Sequence, residues 1–445
     1  MNITNELLNK FKDQYSQNDC NLTIQNAIAK VGINEASENN CLGRRHNFIF
    51  SNTTTKGEIT NQKASGRCWM FSALNTARVN TMNKLNMKTF EFSQNYTLFF
   101  DKLEKSNYFL ESILETADEA HDSRVVMHLL TAPIQDGGQW DMFSGILEKY
   151  GSVPKYIMPE TFHSSNTSVM NTVITSKLRE DAYILRKMVA EKKTAKEIQD
   201  TKEEMLAHIY NILVKCLGPI PEKFDFEYQD KDEKYHVIKD LTPQSFFKEY
   251  VAWNLDDKIS LINAPSESKP YNHVYTVKFL GTVKEGRPIR YINVPIDVLK
   301  KAAIASIKDN QPVWFGCDVG KQSNRLIGIM DLHTFDYEKT LGSDCHLSKG
   351  LKLDYGESLL THAMVFTGVD LDQDGKPLKW QVENSWGDKV GDKGIFSMSD
   401  NWFDEYNYQI MVDKKYVDKE ILDILNTEVI ELEPWDPMGA LALVK

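Results

Sequence analysis

What this chain lacks narrows its identity first. No apolar run approaches the roughly 20 residues that a helix needs to span a bilayer. The opening Met1-Asn2-Ile3-Thr4-Asn5-Glu6-Leu7-Leu8 has neither the basic start nor the apolar centre of a secretion signal. A membrane partner is therefore not expected. Basic charge is in deficit: 52 Lys and Arg stand against 63 Asp and Glu, a net charge of −11. Binding a phosphate backbone takes a basic face, so nucleic acid is not the expected partner. Cysteine is scarce. The six residues Cys20, Cys41, Cys68, Cys216, Cys317 and Cys345 show no CxxC spacing, and neither a disulfide framework nor a zinc site follows from them. Cys345 and His346 are adjacent but have no further ligand set, so no metal is expected. A reducing cytoplasm is the expected compartment, and it would also protect a reactive thiol from oxidation. Internal repeats are absent.

What is present fits a globular protein with a large core. The 445 residues are 41% hydrophobic and 26% charged, which suggests two or three domains. One stretch carries chemistry: Gln62-Lys63-Ala64-Ser65-Gly66-Arg67-Cys68-Trp69-Met70-Phe71-Ser72-Ala73. Ser65 and Gly66 read as loop and cap, and the apolar run after Cys68 reads as a helix to about Lys84. A thiol at a helix N-terminus faces the positive end of the macrodipole, which favours the nucleophilic thiolate. Gln62 can bring a side-chain amide to the place where an oxyanion develops. Far along the chain, His362 precedes a strand-like run, and Asn384-Ser385-Trp386-Gly387 supplies an amide and an indole. A Cys–His pair needs a third group to hold the imidazole in one tautomer, and Asn384 can do this. Trp386 would cover that hydrogen bond. Gly137 and Gly138, in Asp136-Gly137-Gly138-Gln139-Trp140, would let a substrate backbone approach.

These pieces, in this order, resemble the papain-like cysteine peptidases, and within them the bleomycin hydrolase and bacterial aminopeptidase C family. The resemblance rests on Gln62 to Trp69, on Asp136 to Met142 and on Asn384 to Gly387, and it extends over essentially the whole chain. It departs from the secreted papain pattern at Ser65, where those enzymes have a cysteine, and at Arg67, where they have a small residue. The separations of His362 and Asn384 from Cys68 also far exceed the ~130–150 residues usual in papain and the cathepsins. A large insertion accounts for that, and the aminopeptidase branch has one. The resemblance implies an α+β papain-like fold, with a helical domain, a β-barrel-like domain and a helical insertion. It also implies removal of N-terminal residues from peptides through a thioester, with broad side-chain tolerance, no cofactor and a ring-like homohexamer. Bleomycin-type amide hydrolysis would be a side activity. Two other readings stay open: a cysteine amidase or acyl transferase acting on non-peptide amides, and a non-catalytic assembly protein on the same fold.

Four regions are expected. Residues 1–163 form the mainly helical domain, and residues 164–260 the insertion. Residues 261–430 form the β-rich domain with His362 and Asn384, and residues 431–445 form an arm. Apolar residues three and four apart between Lys177 and Leu217 predict two helices ended by Gly218-Pro219. These helices either cover a core or serve assembly, and the resemblance favours assembly. Strands are expected over Val274–Leu280, Pro312–Val319, Ala363–Val369 and Lys379–Glu383, with a helix over Ile296–Lys308. The turn from Asp370 to Gly375 imitates half of an EF-hand loop, but Gln381 stands where a bidentate Glu is required, so it reads as a hairpin turn. The terminal run from Ala440 to Val444 is apolar and costly to expose. It should lie extended in a groove. In the resembling family the arm fills the non-primed side of the cleft, which puts Val444 and Lys445 against the substrate's amino group. Lys445 either points to solvent or is removed by the enzyme itself.

Overall fold

The computed structural model describes residues 1–441. Two hydrophobic cores divide the chain. One gathers Trp69, Phe71, Leu74, Phe99, Phe143 and Ile146 with the insertion's Ile174, Leu185, Ile209 and Leu213. The other gathers Leu299, Phe315, Phe366, Trp380, Trp402 and Phe403. The first belongs mainly to helices, the second to a sheet with the helices Ile296–Lys308 and Asp400–Tyr406 packed on it.

Helices at Cys68–Lys84, Gln94–Glu115 and Trp140–Tyr150 form the helical domain. The Cys68 helix has the bounds expected from sequence. The Gln94 helix runs to Glu115, because Leu110 and Ile113 continue its buried stripe. The nucleophile helix is buried along almost its whole length. Among the hydrogen bonds that fix it to the sheet, Ser72 Oγ donates to Ala363 O at 2.9 Å, and Trp314 Nε1 donates to Trp69 O at 3.1 Å.

The large sheet has twelve strands. Its centre is the antiparallel run Lys258–Ile262, Asn407–Asp413, Val313–Cys317, His362–Leu371, Pro377–Glu383 and Ile395–Ser399. The helix Ile296–Lys308 covers one face through Leu299, Ala303 and Ile307, and its bounds are those expected. The Asp372–Lys376 connection is a hairpin turn with Gly375 at φ 78°, as expected. The register sets His362 opposite Cys317, at the mouth of the sheet.

The insertion begins with helices Ser168–Ala190 and Ala195–Leu217, the second opened by a capping box between Thr194 and Glu197 and closed by Gly218 at φ 95°. It continues in a hairpin, Phe224–Gln229 with Tyr235–Leu241, that the periodicity did not predict. Lys258–Ile262 is a strand of the main sheet, so the boundary expected at 260 falls inside an element. Before the helical domain, Asn5–Ser16 and Cys20–Val31 are helices with no buried residue. Their apolar side chains, including Leu8, Phe11 and Leu22, are exposed.

Candidate active site

Cys68 is the first residue of its helix, and no side chain caps that end. The backbone N–H groups of Cys68 and Trp69 are therefore left for the thiol or for a developing oxyanion, while those of Met70 and Phe71 donate to Arg67 O. The loop before it is held by ions. Arg67 is fully buried and grips Glu160 with both guanidinium nitrogens, at 3.0 and 2.8 Å, while its Nε donates to Ser65 Oγ at 2.9 Å. The two departures from the secreted pattern are thus partners. An Arg–carboxylate fork stands at the loop that a disulfide cysteine would occupy. On the other side, Asp136 accepts from Gly66 N at 2.8 Å, Lys102 Nζ at 2.7 Å and Asn171 Nδ2 at 2.7 Å, and also from Thr167. Desolvation works against this carboxylate, but Lys102 and these donors hold it far below the usual range.

His362 opens its strand, and Asn384 follows the neighbouring strand. Antiparallel pairing sets them side by side: His362 Nε2 lies 3.0 Å from Asn384 Oδ1. The same oxygen accepts from Ser385 N at 2.8 Å, which fixes the amide orientation. Nε2 must then carry the proton, and Nδ1 is left to exchange one with the substrate side. Trp386 packs on the imidazole with ring centroids 4.8 Å apart. Gly387 has φ 80°, and a Cβ there would sit 2.5 Å from Asn61 Nδ2, so the turn needs glycine. Glu383, just before Asn384, is buried against Arg78 of the nucleophile helix at 2.7 Å. One ion pair therefore ties the nucleophile helix to the strand that presents the orienting amide.

Gln62 lies at the same place. Its Nε2 donates to Ser65 O at 2.6 Å, and its Oε1 accepts from Ser385 Oγ at 2.7 Å. One amide N–H remains for an oxyanion. Gln62, Cys68, His362 and Trp386 all line a single cavity of about 1440 Å³. Cys68 also lies beside Ala363, whose backbone favours the ionised thiol, as do the N–H groups of Trp69 and Cys68. These do not prevail. Burial pushes the thiol up to about 12 and the His362 imidazole down to about 4. Desolvation thus works against the charged form of each group, while the backbone around Cys68 and the Asn384 hydrogen bond to His362 work for it.

Gly137 and Gly138 differ from expectation. Both are buried and neither lines the cavity. A Cβ on Gly138 would meet the Trp69 ring at 2.5 Å, and Gly137 O accepts from Lys105 at 2.6 Å. Their constraint is packing behind the nucleophile helix. The adjacent Gln139 provides the contact with an extended chain, because its Nε2 donates to Ala440 O at 2.8 Å.

That chain is the C-terminal arm. Lys269 pairs with Asp436 at 3.0 Å, Asp436 caps Met438 N at 2.8 Å, and Met438 and Leu441 are buried. Trp435 lies under Arg124, 3.8 Å from ring centroid to guanidinium. Ala440 and Leu441 line the cavity that holds Cys68. Val444 and Lys445 lie outside the described residues. Sequence reasoning missed Arg67 with Glu160, Asp136 with Lys102, Arg78 with Glu383, and Gln139. Only the unusual Arg67 beside the nucleophile was a visible signal.

A cysteine at a helix start, with a histidine and an asparagine from neighbouring strands, in an α+β papain-like fold, defines the class of cysteine peptidases. The chain belongs to the Peptidase C1-like family, whose model matches residues 2–439. It is 49% identical over 441 residues to "Aminopeptidase C" of Listeria monocytogenes, covering 99% of each chain. It is 47% identical over 407 residues to "Bleomycin hydrolase" of Rattus norvegicus, covering 90% of each. The crystal structure of pepw from Lactobacillus rhamnosis superposes with a TM-score of 0.97 at 50% identity and covers 99% of both chains.

Proposed function

We propose that this chain is a cysteine aminopeptidase that removes N-terminal residues from peptides, with Cys68, His362, Asn384 and Gln62 as its machinery. The observation that carries this reading is the shared cavity, lined by Cys68 and His362 and entered by the chain's own arm. Cys68 Sγ, its proton passed to His362 Nδ1, attacks the scissile carbonyl as the nucleophile. The Gln62 amide and the Cys68 N–H receive the oxyanion. His362 then protonates the leaving amine, the C–N bond breaks, and a thioester remains. Water, deprotonated by His362, hydrolyses it. Asn384 keeps the imidazole turned so that Nδ1 does this work. Full-length relatives named as aminopeptidase C and bleomycin hydrolase favour this over a general amidase or a non-catalytic assembly protein.

No helix among the described residues is long and apolar enough to cross a membrane. We place the enzyme in the cytoplasm, where the free cysteines at 20, 41 and 345 would stay reduced. A homohexamer is proposed from the family resemblance. The exposed apolar side chains on the N-terminal helices, and Val169, Val173 and Tyr183 on the insertion, are surfaces such an assembly would cover. The division into a helical domain, an insertion, a β-rich domain and an arm is part of the same reading.

The test is a substrate pair. Free-amino aminoacyl-coumarins should be cleaved and N-blocked peptides should not, and Cys68→Ser should abolish turnover with the fold intact, because a hydroxyl is a far weaker nucleophile. Activity within tenfold of wild type in Cys68→Ser would overturn the mechanism.

A further inference from the structure

The cavity has two ends. The arm lines one of them with Trp435, Asp436 and Ala440, the last held by Gln139. The other is built on Trp386 and the segment that carries Lys321 and Arg325, both of which line the cavity. His362 is the group that hands a proton to the leaving amine, so whatever leaves must lie beside His362 and Trp386.

Arg325 stands there in an unusual state. Its guanidinium lies over the Trp386 indole, 4.3 Å from the ring centroid. The indole in turn lies 4.8 Å from the imidazole. The charge is felt at the site, since Arg325 helps burial to keep His362 neutral. Yet Arg325 is exposed, and among the described residues no carboxylate pairs with it. Its neighbour Lys321, by contrast, is tied to Glu357 at 2.7 Å. Stacking holds the planar fork in place without using its N–H donors, which remain available for a bidentate acceptor. The two stacking steps from imidazole to guanidinium together reach no further than about three extended residues.

We infer that Arg325 is a specificity-determining residue that binds a carboxylate of the leaving peptide, chiefly the C-terminal carboxylate of substrates whose leaving part is one to three residues long. This rests on the aminopeptidase reading and gives it a substrate class: short free peptides. A leaving group without a carboxylate would lack this contact. Longer peptides would gain from Asp or Glu at the same positions.

The measurement is kcat/KM for trialanine with a free C-terminal carboxylate and for trialanine amide. Wild type should favour the acid by about two- to fivefold, the range for a solvent-exposed charged pair. Arg325→Gln should bring the ratio near one, and Arg325→Glu should invert it. A wild-type ratio of one, or a ratio unchanged in Arg325→Gln, would overturn the proposal. Equal loss on both substrates at a constant ratio would do the same, because it would mean that Arg325 acts only through Trp386 and His362. A binding arm separates this from the chemistry. Cys68→Ala protein should bind the acid more tightly than the amide, and the Cys68→Ala/Arg325→Gln protein should bind both equally. If wild type cleaved neither peptide, the aminopeptidase reading would fall, and the binding arm alone would decide on Arg325. No preference for the acid there would overturn it.

Discussion

At the scale of single residues, the site is governed by competition between burial and charge. Cys68 and His362 are within a few per cent of complete burial, and each is pushed toward its neutral form. For His362 this has a consequence for folding. Its imidazole titrates near 6.5 when free and near 4 in the folded chain. The unfolded state therefore binds the proton first as pH falls. The stability that His362 contributes is complete above 6.5 and is lost as pH drops from there toward 4. Between pH 7 and 4.5 the loss should be about 2 kcal/mol. We expect His362→Gln to lose that much less than wild type over this interval in urea unfolding. Equal acid sensitivity of the two proteins would show that the imidazole is charged in the folded state.

At the scale of elements, the nucleophile's position depends on ion pairs that join segments far apart in sequence. Arg67 is gripped by Glu160, 93 residues away. Glu160→Gln leaves a buried guanidinium without its counter-charge, which should cost about 3 kcal/mol. It should also lower kcat, because Ser65 and Gln62 share the same loop. A urea midpoint equal to wild type would show that the pair is not needed. These pairs mark the limit of what the sequence discloses. Helices at Cys68–Lys84 and Ile296–Lys308 were legible, because cap chemistry and apolar spacing are local. Cys68, His362, Asn384 and Gln62 were legible because their side-chain types have few uses in that order. The hairpin over Phe224–Gln229 and Tyr235–Leu241 was not, since half of its side chains face solvent and its alternation is broken by a bulge. The packing of Gly138 was not legible for a related reason. Its constraint is the Trp69 ring, a contact that no local pattern reports. The same holds for Lys102 with Asp136, where each charge taken alone reads as surface.

At the scale of the whole molecule, the proposed role of the arm is to decide which substrates can enter. Ala440 and Leu441 line the cavity that holds Cys68, and in the proposed reading they stand where residues upstream of a scissile bond would lie. Deleting residues 440–445 should open cleavage of N-blocked peptides and lower kcat/KM on free-amino aminoacyl substrates. Assaying both on the truncated protein checks this, and an unchanged preference for a free amino terminus would show that the gate lies elsewhere.

The anchoring of that arm has a kinetic meaning. Trp435 under Arg124, Asp436 on Lys269 and the carbonyl of Ala440 on Gln139 attach the blocking segment to the body it blocks. Its contact with the cleft is therefore intramolecular. A short tether of this kind sustains a local concentration on the order of millimolar, however dilute the enzyme becomes. Occupancy of that end of the cavity then does not change with dilution. A free peptide copying the last residues, added to truncated enzyme, would have to reach a similar concentration to restore what the covalent link supplies continuously.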